Sequence, residues 1–366
     1  MQSFVDLDRL LGSVPGPVVY ALSQVDVGRG RADLFRNQLP ALLEELADRA
    51  RIASITASSA LEGVVVADPV RAAAIIGGRA AVLRTRSEQE LAGYRSTLDY
   101  LFAGDWRPLN VGLLLHLHRE LFSHTGVSGG RWKTVDNLVV DRSPDGTVAV
   151  RFVPVPAART PEVTADLLQR YGEALEARRH HPVLLTGLLV LDLLTIHPFE
   201  DGNGRVVRAL TNALLDDVGY GVGRYVSIEQ LIAESADGYY ASLLASTTGW
   251  HERAHDPWPW LGYFVGVLAR GYGRFEQRAA SNRTSGTKQD RVREYVLDHA
   301  SPVFRIADVR AALPGISDPT IRLTLEQLRN EGLVAPQGRG RSATWVRSGR
   351  PVDDHTANRT GGRAST

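Results

Sequence analysis

The stretch His197-Pro198-Phe199-Glu200-Asp201-Gly202-Asn203-Gly204-Arg205-Val206-Val207-Arg208 lies between two apolar segments of the chain. Upstream, Pro182 to Ile196 is the longest apolar run; it holds Asp192, is too short to span a bilayer, and reads as a buried helix. Downstream, Arg205 to Asp217 repeats its apolar residues at helical spacing. The quoted residues therefore leave one helix and open another. Two glycines at a helix start let backbone N–H groups approach an anion, and the helix dipole favours negative charge there. Asn203, between them, adds a side-chain amide donor. Arg205 and Arg208 are three apart, so they share a helix face and can reach outer phosphates. Asp201 is a hard oxygen ligand placed to hold Mg²⁺ against those phosphates. His197, on the loop before them, is the residue type that receives a hydroxyl proton. Phe199 is expected to turn inward and anchor the loop. A lone Asp-Gly-Asn-Gly would suit a capped helix behind a surface turn; base, acid, two glycines, amide and two arginines together point to a nucleotide-phosphate site.

Composition narrows the chemistry. At 366 residues the chain exceeds a usual single core, so two or three modules are expected. A formal net charge of +1 favours neither nucleic acid nor membrane globally, so any nucleic-acid site is a local patch. Without cysteine there are no disulfides, thiolate nucleophiles or Cys-based zinc sites, which suits a reducing cytosol, and a cytoplasmic location is expected. Met1 to Leu11 carries acids and no apolar segment of the kind a signal peptide needs. Lys133 and Lys288 are the only lysines, and neither a P-loop nor a protein-kinase motif set is present. Phosphates here must be held by arginine, backbone N–H groups and metal.

Residues 1 to about 30 are punctuated by Pro and Gly and read as extended. Helical spacing begins with Leu34, Phe35, Leu39, Leu42, Leu43 and Leu46 and then dominates the chain. One region differs. Leu138 to Val140 and Val148 to Val153 are β-rich and flank the turn Ser143-Pro144-Asp145-Gly146, so a hairpin is expected inside a helical body. The expected division is an N-terminal helical module over 1–105, a core over 106–276, a Gly/Ser/Thr-rich linker over 277–290, a small domain over 291–347 and a disordered tail over 348–366.

The segment from His197 to Arg208 resembles the signature of Fic-domain proteins, His-x-Phe-x-Asp/Glu-Gly-Asn-Gly-Arg-x-x-Arg, at every fixed position. The resemblance implies a mainly α, Fic-type helical core with an inserted β-hairpin flap, and the transfer of AMP from ATP to a Ser, Thr or Tyr hydroxyl of a target protein. By the same resemblance His197 is the base, and Asp201 binds Mg²⁺, with Mn²⁺ as an alternative. Gly202, Asn203 and Gly204 cradle the α- and β-phosphates, Arg205 holds the β-phosphate region and Arg208 the γ-phosphate. Val207 stands where many members have Gly, which bears on crowding near the phosphates. Gly130-Arg131-Trp132-Lys133, Asn137 and the hairpin to Pro154 look like the family's flap, where an extended target segment docks by strand addition over residues 137–154. Tyr239 and Tyr240 look like family positions too; one would line an adenine pocket, with core packing the alternative for either.

Ser58-Ser59-Ala60-Leu61-Glu62-Gly63 ends an early helix, with Ser58 and Glu62 on one face and Gly63 as a left-handed cap. Spacing alone suits a solvated helix end. The segment also matches the Fic inhibitory pattern Ser/Thr-x-x-x-Glu-Gly/Asn, which implies that Glu62 pairs with Arg208 and denies it to the γ-phosphate. His251-Glu252-Arg253-Ala254-His255 fits a zinc-protease pattern but is polar, short and followed by Asp256-Pro257, which suits a loop and not a metal helix. Residues 291–347 resemble a winged helix, with Ile321, Leu325 and Leu328 buried and Gly338-Arg339-Gly340-Arg341 as a basic tip. DNA binding and protein docking or dimerisation fit that unit equally. Alternatives to AMP transfer are AMP removal at the same site and a nucleotide-sensing DNA-binding regulator.

Overall fold

Pro182 sits in the first turn of its helix, where a missing N–H costs nothing, and His181 caps it by accepting from Val183 N–H at 3.2 Å. The run that follows has no polar face to offer water, so it becomes part of the core: from Val183 to Leu193 every residue is buried. Around it the chain is mainly α-helical. The computed structural model describes residues 2–38, 40–104, 106–142, 148–284, 288–338 and 344–347.

The helices are α1 (Leu7–Leu11), α2 (Gly16–Gln38), α3 (Pro40–Leu61), α4 (Pro69–Ile76), α5 (Arg86–Ala103) and α6 (Val111–Leu121). The hairpin strands β1 (Val139–Arg142) and β2 (Val148–Phe152) come next, followed by α7 (Thr160–Ala177), α8 (Pro182–Ile196) and α9 (Asn203–Asp217). Then come α10 (Ile228–Ala233), α11 (Ala236–Thr247) and α12 (Trp258–Thr284). Helix α8 packs on α7, α9 and α11, while α3 packs on α5, α9 and α10. The end of α3 thus reaches the helix that begins with the glycine loop. Strands β1 and β2 pair antiparallel, Val139 against Phe152, with a register shift after Val139. The expected turn Ser143 to Gly146 lies outside the described residues.

The chain divides into two units, Met1–Ala279 and a second one from Ala280 on. The second unit holds α13 (Lys288–Glu294), β3 (Val303–Phe304), α14 (Ile306–Ala312), α15 (Asp318–Asn330), β4 (Val334–Gln337) and β5 (Thr344–Arg347), with the strands in the order β3-β5-β4. Ile321, Leu325 and Leu328 bury one face of α15 among Val292, Val296, Phe304 and Val309. Arg339 to Arg341 of the basic tip, and everything beyond Arg347, lie outside the described residues.

Three expectations need correction. Residues 2 to 30 are mostly helical, not extended: Val18, Leu22, Val25 and Ala32 form a buried helical stripe in α2. Gly28, which reads as a breaker, is there for contact, since a Cβ would lie 2.6 Å from Tyr272 Cβ of α12. Leu34 does not join the apolar face with Leu43 and Leu46: those belong to α3, whereas Leu34 lies near the end of α2, off its buried stripe, and is 64% exposed. The expected linker over 277–290 is helical as far as Thr284, where α12 continues, and helical again from Lys288.

Candidate functional site

Helix α8 ends in a left-handed residue, and that residue is His197, with φ of 52°. Non-glycine residues adopt this conformation rarely. Here the His197 N–H still bonds Leu193 O at 3.0 Å, and the ring turns back so that Nδ1 meets Leu194 O at 3.2 Å. A carbonyl only accepts, so Nδ1 carries the proton and Nε2 keeps its lone pair. Burial, and behind it the Lys133 charge, holds His197 below the ordinary imidazole range against the opposing pull of the Leu194 bond, Glu62 and Asp201.

The loop after His197 is built on Phe199. Its ring is 1% exposed and stacks on His118 at 4.0 Å and on Trp132 at 5.7 Å. Asn203 closes the loop: its Oδ1 accepts from Phe199 N at 2.9 Å and its Nδ2 donates to Phe199 O at 2.8 Å. The side chain expected to donate to phosphate is therefore committed to the backbone, which a single buried amide satisfies on both its atoms. His118 braces the other side. Its Nδ1 accepts from Gly130 N–H at 2.9 Å, so its Nε2 donates to Asp201 O at 3.2 Å. Burial pushes His118 down to about 4.

Gly202 starts α9 at φ of 79°, and a Cβ there would also lie 2.7 Å from Leu121. Asp201 caps this corner, accepting from Gly202 N–H at 2.6 Å, while its side chain stays 54% exposed. The first N–H groups of any helix lack intrahelical partners, so this end of α9 offers them to an anion. A Cβ on Gly204 would lie 2.2 Å from Glu62 Oε1 and 2.8 Å from Arg208 Nη1. The glycine is what lets a carboxylate sit on the helix end.

Both arginines of the motif are held by acids from the N-terminal helices. Arg208 Nη2 donates to Glu62 Oε1 at 2.7 Å and to Ser58 O at 3.0 Å, and its Nε donates to Ser58 Oγ at 2.9 Å. The Arg208 side chain is 5% exposed and that of Glu62 is 31% exposed. Burial works against both charges. The pairing outweighs it, keeping Glu62 below the usual carboxylate range and Arg208 above the usual guanidinium range. Arg205 is 1% exposed, lies over the Phe122 ring, and donates to Glu90 Oε2 at 2.5 Å. Its Nη2 is 3.5 Å from Asp201. Arg86 bonds the other Glu90 oxygen at 2.5 Å and reaches Asp201 at 3.4 Å.

Tyr239 and Tyr240 separate. Tyr239 is 3% exposed among Trp260 and Tyr263, and burial pushes it up to about 12, so it takes the packing role. Tyr240 is half-buried, donates to Leu61 O at 3.4 Å and lies under the Arg151 guanidinium of β2. The two histidines of the zinc-like pattern also part. His251 Nε2 bonds Val153 O at 2.8 Å, whereas His255 Nε2 meets the Ser3 hydroxyl at 3.0 Å, beside Asp192. Among the described residues no group of three or more His, Asp or Glu is placed to hold a metal.

Glu90 and Arg86 escaped the reading of the sequence. A signal was present: Glu90 shares a helix face with Tyr94, Leu98 and Leu101, all buried, and an acid in a buried stripe needs a cation.

Residues 108–215 match the Fic/DOC family, so the chain carries a Fic domain. The protein adenylyltransferase Fic of Drosophila grimshawi is 31% identical over 137 residues, 36% of this chain and 26% of the relative. The chain thus matches about a quarter of the length of that curated relative. A Fic family protein from Desulfovibrio desulfuricans superposes with a TM-score of 0.58 at 23% identity, over 92% of this chain and 98% of the other. A Fic domain signalling protein from Bacteroides thetaiotaomicron gives 0.56 at 21% identity, over 73% and 97%. At such identities the two structures speak for the fold.

Proposed function

We propose that this chain is a protein adenylyltransferase held at rest by Glu62. The observation that carries the reading is the convergence on one helix end of a lone-pair-bearing His197, a glycine-lined α9 terminus and an Arg208 already gripping a carboxylate. A site that binds a carboxylate on a buried arginine at a helix N-terminus is built for a phosphate. The Drosophila relatives are named as protein adenylyltransferases, which supports the same chemistry.

In this reading a target Ser, Thr or Tyr hydroxyl gives its proton to His197 Nε2 while its oxygen attacks the α-phosphorus of ATP. The bond from that phosphorus to the bridging oxygen breaks, and pyrophosphate leaves. The backbone of Gly202, Asn203 and Gly204 faces the phosphates, Arg205 and Arg208 neutralise the outer ones, and the half-buried Tyr240 borders the base. Asp201 fits a divalent metal: a single exposed carboxylate at a phosphate-binding helix end suits Mg²⁺, which keeps its remaining sites for water and phosphate oxygens. Such an ion would supply charge neutralisation for the triphosphate. A target segment would extend the hairpin by strand addition at β1 or β2. The exposed Arg322, Gln327 and Arg329 of α15 are of the types that read DNA, and an electrophoretic shift assay on the full chain tests that role.

The test separates base from phosphate holder. His197→Ala should abolish AMP incorporation and leave ATP affinity within about threefold, whereas Asp201→Ala should lose both incorporation and the Mg²⁺ dependence of ATP binding. Undiminished transfer by His197→Ala, or calorimetric ATP binding indifferent to Mg²⁺, would contradict the assignments. A second reading is AMP removal at the same site, by a water that Glu62, whose charge also acts on His197, would orient.

A further inference from the structure

Lys133 is one of two lysines in the chain, and it is 3% exposed. Buried ammonium groups normally have a carboxylate partner. This one has neutral hydrogen-bond partners: Nζ donates to Asn137 Oδ1 at 2.8 Å and to Ile196 O at 3.1 Å. Asn137 in turn donates to Phe199 O at 3.1 Å and to His197 O at 3.5 Å. The Lys133 backbone N–H takes Pro198 O at 3.0 Å. Four successive carbonyls, those of residues 196 to 199, are thus all engaged by two residues of the segment leading into β1. These four residues carry His197 in its left-handed conformation.

We infer that Lys133 and Asn137 are positioning residues for His197: together they hold its loop in the strained geometry, and the Lys133 ammonium opposes protonation of the ring. The inference rests on His197 being the base of the proposed reaction. Division of labour follows from the chemistry. Asn137 has no charge and acts by geometry alone, through the carbonyls on either side of Pro198. Lys133 has both effects, since a cation buried near an imidazole disfavours the imidazolium. The charged groups acting on His197 are Lys133 from this segment, Glu62 from α3 and Asp201 from its own loop, and Lys133 is the one that lowers its proton affinity. Asp136 is the acid that acts on Lys133 itself, and burial still pushes the ammonium down to about 8.

The experiment uses the full chain with labelled histidine and follows the His197 ring by NMR through a pH titration, with His197→Gln identifying its signal. Lys133→Met should raise the His197 midpoint by about one pH unit. Lys133→Arg should leave it near wild type. Asn137→Ala should leave the midpoint in place yet lower kcat for AMP incorporation about tenfold or more, with KM for ATP within about twofold. Incorporation is read in the Glu62→Gly background. An unmoved midpoint in Lys133→Met, or Lys133→Arg behaving as Lys133→Met, overturns the inference; should Lys133→Met not fold, Lys133→Gln serves the same comparison. If no variant and no parent incorporates AMP, the transferase reading has failed, and the NMR titration still decides the role of Lys133.

Discussion

Arg208 has one guanidinium and two claimants. Glu62 holds it now, and a γ-phosphate would need the same donors. Because the Glu62 carboxyl is depressed below its ordinary range, the pair's stabilisation is fully present above the unfolded carboxyl pKa and is lost as pH falls through the lower folded value. The contact therefore holds throughout neutral pH. His118 behaves in the same sense, over a higher pH range. Its folded value is about 4 against an ordinary 6.5, so between these the unfolded chain binds the extra proton and stability rises with pH. For this one residue the loss on acidification is on the order of 3 kcal/mol. The imidazole of His118 should accordingly still be neutral at about pH 5.5 in a histidine NMR titration; a protonated ring at that pH would mean that the stack on Phe199 does not shield it. His197 was legible in the sequence because its neighbours in the chain are also its neighbours in the candidate site. His118, Glu90 and Lys133 act on the loop from other helices and from the segment before β1, and no spacing rule announces a partner that is dozens of residues away.

At the scale of elements, α5 brings Glu90 to Arg205 because it can lie close to the end of α6. Gly93 makes that approach possible: a Cβ there would sit 1.9 Å from Leu121 O, a backbone atom that cannot swing aside. Gly93→Ala should therefore destabilise the fold by about 1–3 kcal/mol or more, read from the urea midpoint, and an unchanged midpoint would show that the helices are not in this contact. The same physics explains which elements the sequence disclosed. Helix α8 was plain from its continuous apolar run, and β1 and β2 from their branched residues around a turn signal. Helix α2 was hidden, since Gly28 and Gly30 read as breakers when only local preference is weighed; tertiary contact with Tyr272 reverses the meaning of Gly28. The end of α12 was hidden by its polar composition, which a helix tolerates when one face needs no burial.

Across the whole molecule, two units divide near Ala279, and every residue assigned here to the nucleotide site belongs to the first. A chain ending at Thr284 should keep its melting temperature within a few degrees for the remaining unit and retain AMP incorporation; a folded but inactive truncation would show that the second unit takes part in the chemistry. Within the first unit, the proposed brake joins residues 146 positions apart, Glu62 at the end of α3 and Arg208 in α9. Its release is the most direct measurement of the account. Labelled AMP incorporation should be compared among wild type, Glu62→Gly and the Glu62→Gly, His197→Ala double substitution. Removing the carboxylate frees Arg208 for the γ-phosphate and lets the α-phosphorus reach in-line geometry, on which rate depends far more steeply than affinity. Incorporation by Glu62→Gly should rise at least about tenfold, equivalent to roughly 1.4 kcal/mol or more of barrier, with ATP affinity little changed and no incorporation by the double substitution. Equal incorporation by wild type and Glu62→Gly, or transfer that persists without His197, would contradict it.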